Sequence, residues 1–229
     1  MHGVLTALAA FYGPLASPPP DLFAFFVWEI LSARALPARR DIAWQAMRRL
    51  PALTPDALFR ASKDDLKAAI DGLGAFDERL ERLRAGSGHF RRHRTLAAIV
   101  AGPLLPAMKA LAAVPHLTSS SRLRALVVAG GHSVAAADDQ VARVVSRLTG
   151  LNRPSAAGRR RFARHRLAAA FGSDRVRIGQ ALVYLAHHAG HACVEHAPHC
   201  TVCPLRHGCA SASGGSGTVP FLGNTEQES

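Results

Sequence analysis

Apolar residues recur at helical spacing through most of the chain, and the strict alternation that marks a half-buried strand is nearly absent. The stretch from Leu22 to Ala33 is apolar on almost every side, which predicts a helix buried all round. From Arg39 to Leu50 the positions Ile42, Ala43, Ala46, Met47 and Leu50 form one helical stripe. Thr54-Pro55 pairs a capping hydroxyl with a proline at the first helical position, so a helix is expected over Asp56 to Ala61. Ser62 and Asp65 stand in a capping-box relation at the head of another, which runs to Ile70. Gly72-Leu73-Gly74 then breaks the chain. Further helices are expected near 76–85, 89–101, 103–113, 121–129, 139–149, 157–171 and 174–190, separated by Gly, Pro, Ser or Asn. The pattern predicts an all-α fold of about ten short helices.

Two stretches depart from this body. Residues 193–209 hold every cysteine in a loop rich in His and Pro, and residues 210–229 are small, polar and rich in Gly and Ser, as a disordered tail would be. No repeat of solenoid length is present. The chain has 229 residues, 48% hydrophobic and 19% charged, which suits one large or two small globular domains and excludes collagen-like, mucin-like and wholly disordered chains. No run of 18 apolar residues argues for a transmembrane helix. The opening stretch, Met1 to Ala16, has no cation before its apolar centre and runs into Pro18-Pro19-Pro20, a poor secretory signal. A soluble intracellular protein is expected.

Charge narrows the partners. Lys and Arg total 28 against 16 Asp and Glu, and all the cations except Lys63, Lys67 and Lys109 are arginines. Before Cys193 there are 27 cations and 13 anions, a formal charge of +14. Such an excess attracts phosphate polymers and anionic surfaces at long range, so nucleic acid is the first candidate and a membrane surface the second. A general bias toward arginine would produce the same excess without any site.

The cysteines Cys193, Cys200, Cys203 and Cys209 are spaced C-x6-C-x2-C-x5-C. Four thiols so close together, in a chain read as intracellular, suggest a metal site rather than disulfides. Zinc and an iron–sulfur cluster both remain open on the thiols alone; the single short knuckle and the long first gap lean toward a cluster. His196, His199 and His207 flank the thiols as ordinary loop residues, since four thiolates already complete a site.

This loop, at the C-terminal end of a basic all-α chain, resembles the [4Fe–4S] loop of the endonuclease III family of DNA glycosylases. The resemblance includes Pro198-His199-Cys200, Cys203-Pro204-Leu205 and His188 ahead of Cys193. It extends over about residues 5–209, with Ile30-Leu31-Ser32-Ala33 similar to an early family helix and Gly72-Leu73-Gly74 at a hinge between helices. It implies a two-lobed helical glycosylase fold: an N-terminal segment 1–34 packed with the cluster lobe, a helical lobe 35–135 with a helix-hairpin-helix near 107–130, a cluster lobe 136–209 and the tail 210–229.

In that family the hairpin reads Leu-Pro-Gly-Val-Gly, then Lys or Ser, and a helix later comes the catalytic aspartate. The matching stretch here is Val114-Pro115-His116-Leu117-Thr118-Ser119-Ser120-Ser121-Arg122, followed by Ala137-Asp138-Asp139-Gln140. His116 and Thr118 occupy the glycine positions, where backbone N–H groups approach a DNA phosphate and positive φ is tolerated. The resemblance assigns DNA contact to His116, Thr118, Ser119, Ser121, Arg122, Arg34 and Gln140. The serines and Arg122 offer side-chain contacts at a helix start, while Thr118 and Ser119 serve equally as helix caps. Ser120 falls where strand-cleaving members carry a Schiff-base lysine, so the resemblance implies base removal by hydrolysis alone. Serine there is similar to the adenine-glycosylase branch, whose second C-terminal domain has no counterpart in this sequence. Asp138 matches the catalytic aspartate; it also reads as a helix N-cap, and a one-residue slip would give Asp139 its role. Arg34 stands where members place a polar amide that fills the gap of a flipped base, Ala75-Phe76 near a wedge position, and Gln140 in place of a common histidine.

Two functions follow from the resemblance. One is a DNA N-glycosylase of base excision repair with catalytic Asp138 and Ser120, a [4Fe–4S] cofactor on the four cysteines, and double-stranded DNA carrying a damaged base or abasic site as partner. The other is a DNA- or lesion-binding member with weak or lost catalysis. A zinc-bearing helical protein that binds RNA or a membrane surface is a third. The glycosylase reading implies a monomer in the cytoplasm, nucleoid-associated in a prokaryotic cell, with no membrane partner.

Overall fold

The computed structural model describes residues 1–50, 52–151 and 155–212. Within them the chain is helical: α1 (His2–Tyr12), α2 (Leu22–Ser32), α3 (Pro37–Arg48), α4 (Pro55–Arg60), α5 (Lys63–Ile70), α6 (Phe76–Arg92), α7 (Leu96–Ala101), α8 (Leu104–Ala112), α9 (Ser119–Val128), α10 (Asp139–Thr149), α11 (Ala156–Phe171) and α12 (Arg175–His191). Short 3-10 turns follow at Asp71–Leu73, Cys200–Val202 and Arg206–Gly208, and the described residues hold no strand. None of these helices is long and apolar enough to cross a membrane. The expected tail lies outside the described residues from 213 onward. Its first residues are ordered: Ala210 N donates to Leu148 O at 3.2 Å and Ser211 N to Arg147 O at 3.1 Å.

Sequence signals for helix starts work where a side chain does the capping. Asp21, Thr54, Ser62, Thr118, Asp138, Ser155 and Asp174 each accept a hydrogen bond from a backbone N–H three residues on, satisfying a donor that the first helical turn leaves open.

The chain divides into two compact units, Pro18–His132 and Met1–Ser17 with the chain from Ser133 onward. In the Pro18–His132 unit α2 packs on α3, α6 and α9, α4 on α6, α3 on α5, and α8 on α7 and α9. The other unit joins α10 to α11 and α12, and α1 to α12. Helix α2 is buried along nearly its whole length, Trp28, Ile30 and Leu31 included.

The Gly86-Ser87-Gly88 run predicts a break between two helices, yet α6 continues through it. The reason is tertiary. The buried ring of Phe26 on α2 lies against Gly86, where a Cβ would sit 2.0 Å from Phe26 Cζ. Phe26 also packs with Phe23 and Phe90, so the ring has nowhere to go. Glycine is there for close helix approach, not to end the helix. Gly86→Ala should therefore lower stability by about 1–3 kcal/mol through overpacking, despite its better helix propensity. A lower midpoint in urea at unchanged slope would show this.

Candidate functional site

The residues expected around the hairpin belong to the Pro18–His132 unit. Four non-glycine residues among those described have positive φ: Arg34 (54°), Ala75 (49°), His116 (62°) and Ala197 (50°). The first three are positions that the sequence pattern singles out for DNA contact or duplex insertion. Left-handed backbone costs a non-glycine residue of order 1–3 kcal/mol and persists only where the surroundings impose it. His116 thus keeps the conformation that a hairpin glycine would adopt freely.

The surroundings of Arg34 and Ala75 are visible in full. Arg79, buried on α6, gives its guanidinium to the C-terminal end of α2: Nη1 donates to Ile30 O and, at 3.4 Å, to Leu31 O, and Nη2 to Ala33 O at 2.5 Å. Its Nε donates to Gly74 O at 3.0 Å, and Nη2 reaches Leu73 O. One cation thereby satisfies the last carbonyls of α2 and the turn before Ala75, and burial lowers its own pKa from the usual guanidinium value. Arg34 itself is exposed.

At the hairpin, α9 opens with Thr118 as its cap, whose Oγ1 accepts from Ser121 N at 3.1 Å. His116, Thr118 and Ser119 are exposed and Ser120 is half-buried. Ser121, expected at a phosphate, turns inward: it is 5% exposed, and its Oγ donates to Glu29 Oε2 at 2.6 Å. Arg124 Nη2 reaches the same oxygen at 2.6 Å. Glu29 is the one acidic residue of α2, and its side chain is 9% exposed. Neither Glu29 nor Arg79 stands out by motif; the signal was a lone charge in an apolar helix. Arg122 is half-buried, with Nε lacking a hydrogen-bond partner.

The other unit carries the aspartate and the cysteines. Asp138 caps α10, Oδ1 accepting from Val141 N at 2.9 Å, and is half-buried behind Ala136 and Ala137. Asp139 is exposed and paired with Arg160 at 2.6 Å; Gln140 is exposed. At the far end of the same helix, Arg143 donates to Cys193 O at 3.0 Å and Ala189 O at 2.9 Å. Arg147 donates to Val194 O at 2.7 Å and Glu195 O at 2.8 Å, with Nη1 3.5 Å from Cys193 Sγ. These arginines, part of the charge excess, clamp the cysteine loop.

All four cysteines are free thiols lining one cavity of about 70 Å³, beside His188 and Leu205. Among the described residues no group of three or more His, Cys, Asp or Glu is arranged to hold a metal ion. Burial raises the Cys203 thiol above its ordinary value, holds His188 down at about 4 and pushes Tyr12 up to about 12.

Comparisons with known proteins rest on structure. No family model and no curated protein matches this sequence. Among solved structures, a non-covalent endonuclease III–DNA complex matches with a TM-score of 0.67 and 17% identity over 93% of this chain and 95% of that one. A trapped endonuclease III–DNA covalent intermediate, an estranged-adenine complex, matches at 0.65 and 16% over 93% and 95%. A thermostable thymine-DNA glycosylase matches at 0.65 and 16% over 93% and 96%. These likenesses establish the fold.

The Glu29 contacts yield a test of the hairpin unit. Glu29→Ala removes the carboxylate that Ser121 and Arg124 share, and should cost about 2–3 kcal/mol, the scale of hydrogen bonds to a charged group. Chemical denaturation of the full chain measures it.

Proposed function

We propose that this protein is a DNA N-glycosylase of the endonuclease III type, which hydrolyses the bond between a damaged or mispaired base and its deoxyribose in duplex DNA and leaves the strand intact. The observation that carries the reading is the left-handed backbone at Arg34, Ala75 and His116 within a glycosylase-like fold. Strain at three positions that would meet DNA suits a binding surface held ready in advance. At the hairpin, the start of α9 presents N–H groups to a phosphate, and the half-buried Arg122 adds positive charge beside them.

Departure of a base builds positive charge on the sugar. In this mechanism the Asp138 carboxylate stabilises that charge and orients the attacking water. Ser120 has no amine, so no Schiff base forms and the sugar–phosphate chain is not cut by β-elimination. The backbone at His116, with Thr118 and Ser119, holds the phosphate, and Arg34 enters beside the extruded base.

A [4Fe–4S] cluster fits the donor set. Four soft thiols and no carboxylate line the one cavity, the donor set that such a cluster takes. Cys193, Cys200, Cys203 and Cys209 would hold it; bound there, it supplies a covalent staple that closes the loop. The partner is double-stranded DNA with a damaged base or abasic site, bound by a monomer.

One observation favours the second reading, a lesion-binding protein without catalysis: Asp138 has structural work as the α10 cap. A glycosylase assay over a panel of lesions separates the two. Activity is expected on at least one lesion, with strand breakage only after alkali or heat and no adduct trapped by borohydride. Asp138→Asn preserves capping, because asparagine caps as well as aspartate. It should cut base release by about 100-fold or more while sparing DNA affinity. Full activity in that variant would overturn the mechanism; tight lesion binding by an inactive wild type would establish the second reading.

The cofactor has its own test. Protein purified without oxygen should be brown, absorb near about 400 nm through thiolate-to-iron charge transfer, and contain iron and acid-labile sulfide in equal amounts. One zinc per chain and no sulfide would overturn the cluster.

A further inference from the structure

A part-buried hydrogen-bond chain ends on one of the four cysteines. His188 on α12 is 1% exposed, and each of its ring nitrogens has a partner: Nδ1 lies 2.8 Å from the Tyr12 hydroxyl, and Nε2 lies 3.6 Å from Cys203 Sγ. A neutral imidazole carries one N–H, and the partners decide which nitrogen bears it. A metal-bound thiolate can only accept, so the proton belongs on Nε2. Nδ1 is then an acceptor, which is what the Tyr12 O–H requires. The order phenol to imidazole to sulfur leaves no member unsatisfied; the other tautomer sets a nitrogen lone pair against the sulfur.

The chain is built by distant parts of the sequence. Tyr12 is the last residue of α1, which packs on α12. Its ring sits edge-on to His187 at 4.7 Å, and Tyr184 donates to the carbonyl of the next residue, Gly13, at 2.8 Å. The phenol is thus fixed by packing on one side and by backbone on the other. Cys203 differs in this from its neighbours: Cys193 faces the Arg147 guanidinium, and Cys209 Sγ lies 3.5 Å from the Arg147 carbonyl.

We propose that Tyr12 and His188 are positioning residues that keep an N–H donor on the sulfur of Cys203 and so set the reduction potential of the cluster held there. The inference rests on the cluster reading above. A hydrogen bond to a coordinated sulfur draws electron density from the iron and favours the reduced state, so it raises the potential. His188 supplies the bond, and Tyr12 fixes the tautomer that makes the supply possible.

The experiment uses the full-length, cluster-loaded protein. Iron and sulfide are measured first, then midpoint potential by protein-film voltammetry and Fe–S(Cys) stretching by resonance Raman. His188→Phe should lower the potential and shift the stretch with the metal content unchanged. Tyr12→Phe, which keeps the ring and loses only the hydroxyl, should shift both in the same direction by less. His188→Gln restores an N–H donor and should recover part of the potential. Fully loaded variants with the wild-type potential and stretch would overturn the relay and leave the cluster standing. A wild-type protein without iron and sulfide would overturn both, and metal analysis alone reveals that case. If His188→Phe does not fold, Tyr12→Phe decides the question alone.

Discussion

A helix buried on every side must still satisfy its polar groups, and that constraint organises the Pro18–His132 unit. Helix α2 buries Phe25, Phe26, Val27 and Leu31 completely or nearly so, each contributing on the order of 1.5–3 kcal/mol. The same burial encloses the carboxylate of Glu29 and the last carbonyls of the helix, which would each cost a few kcal/mol if left without partners. Arg79 answers the carbonyls; Ser121 and Arg124 answer Glu29. These answers have geometric consequences. Arg79 holds the chain just before Arg34 and just before Ala75, while Ser121 and Arg124 tie the hairpin helix α9 to α2. A core requirement thereby holds the backbone that leads into Arg34 and Ala75.

In the other unit a single helix connects Asp138 to the cysteine loop. The start of α10 is Asp138, and its last two turns carry Arg143 and Arg147, which grip the loop from Cys193 to Glu195. The backbone beyond Cys209 returns to the same helix end through Ala210 and Ser211. A helix is stiff over three turns, so whatever orders the cysteine loop also steadies the end of α10. On this view a cluster would act on Asp138 by keeping its helix in place. The Tyr12–His188 chain adds a different influence, electronic and confined to one sulfur.

The fold class was legible because helix periodicity and capping are local. Thr54, Ser62, Thr118 and Asp138 announce helix starts within four residues of sequence, and each forms the bond so announced. What was not legible depends on partners far away. The Gly86-Ser87-Gly88 run looks like a helix end until Phe26 is seen against it. Ser121 reads as one of three equivalent serines until the turn of α9 aims it at Glu29. Arg143 and Arg147 read as surface charge until the cysteine loop folds onto them. That the four cysteines line one cavity is again local information, because they lie within one short loop.

The hairpin shows where reading by residue type falls short. Val114-Pro115-His116-Leu117-Thr118 has lost both glycines of the pattern it resembles, and by letters alone the phosphate clamp is gone. What a phosphate meets, though, is the direction of backbone N–H groups, and that direction is set by φ. His116 holds φ at 62° without the freedom of glycine. Its neighbours Val114 and Leu117 are buried, and α9 is anchored through Ser121, so packing imposes what glycine would have allowed. Thr118, at the second lost glycine, has φ of −67° and caps the helix instead. His116 therefore holds a left-handed backbone without glycine, and Thr118 caps a helix. A turn of this kind trades conformational freedom for strain, and strain is retained only where the surrounding packing is strong enough to hold it.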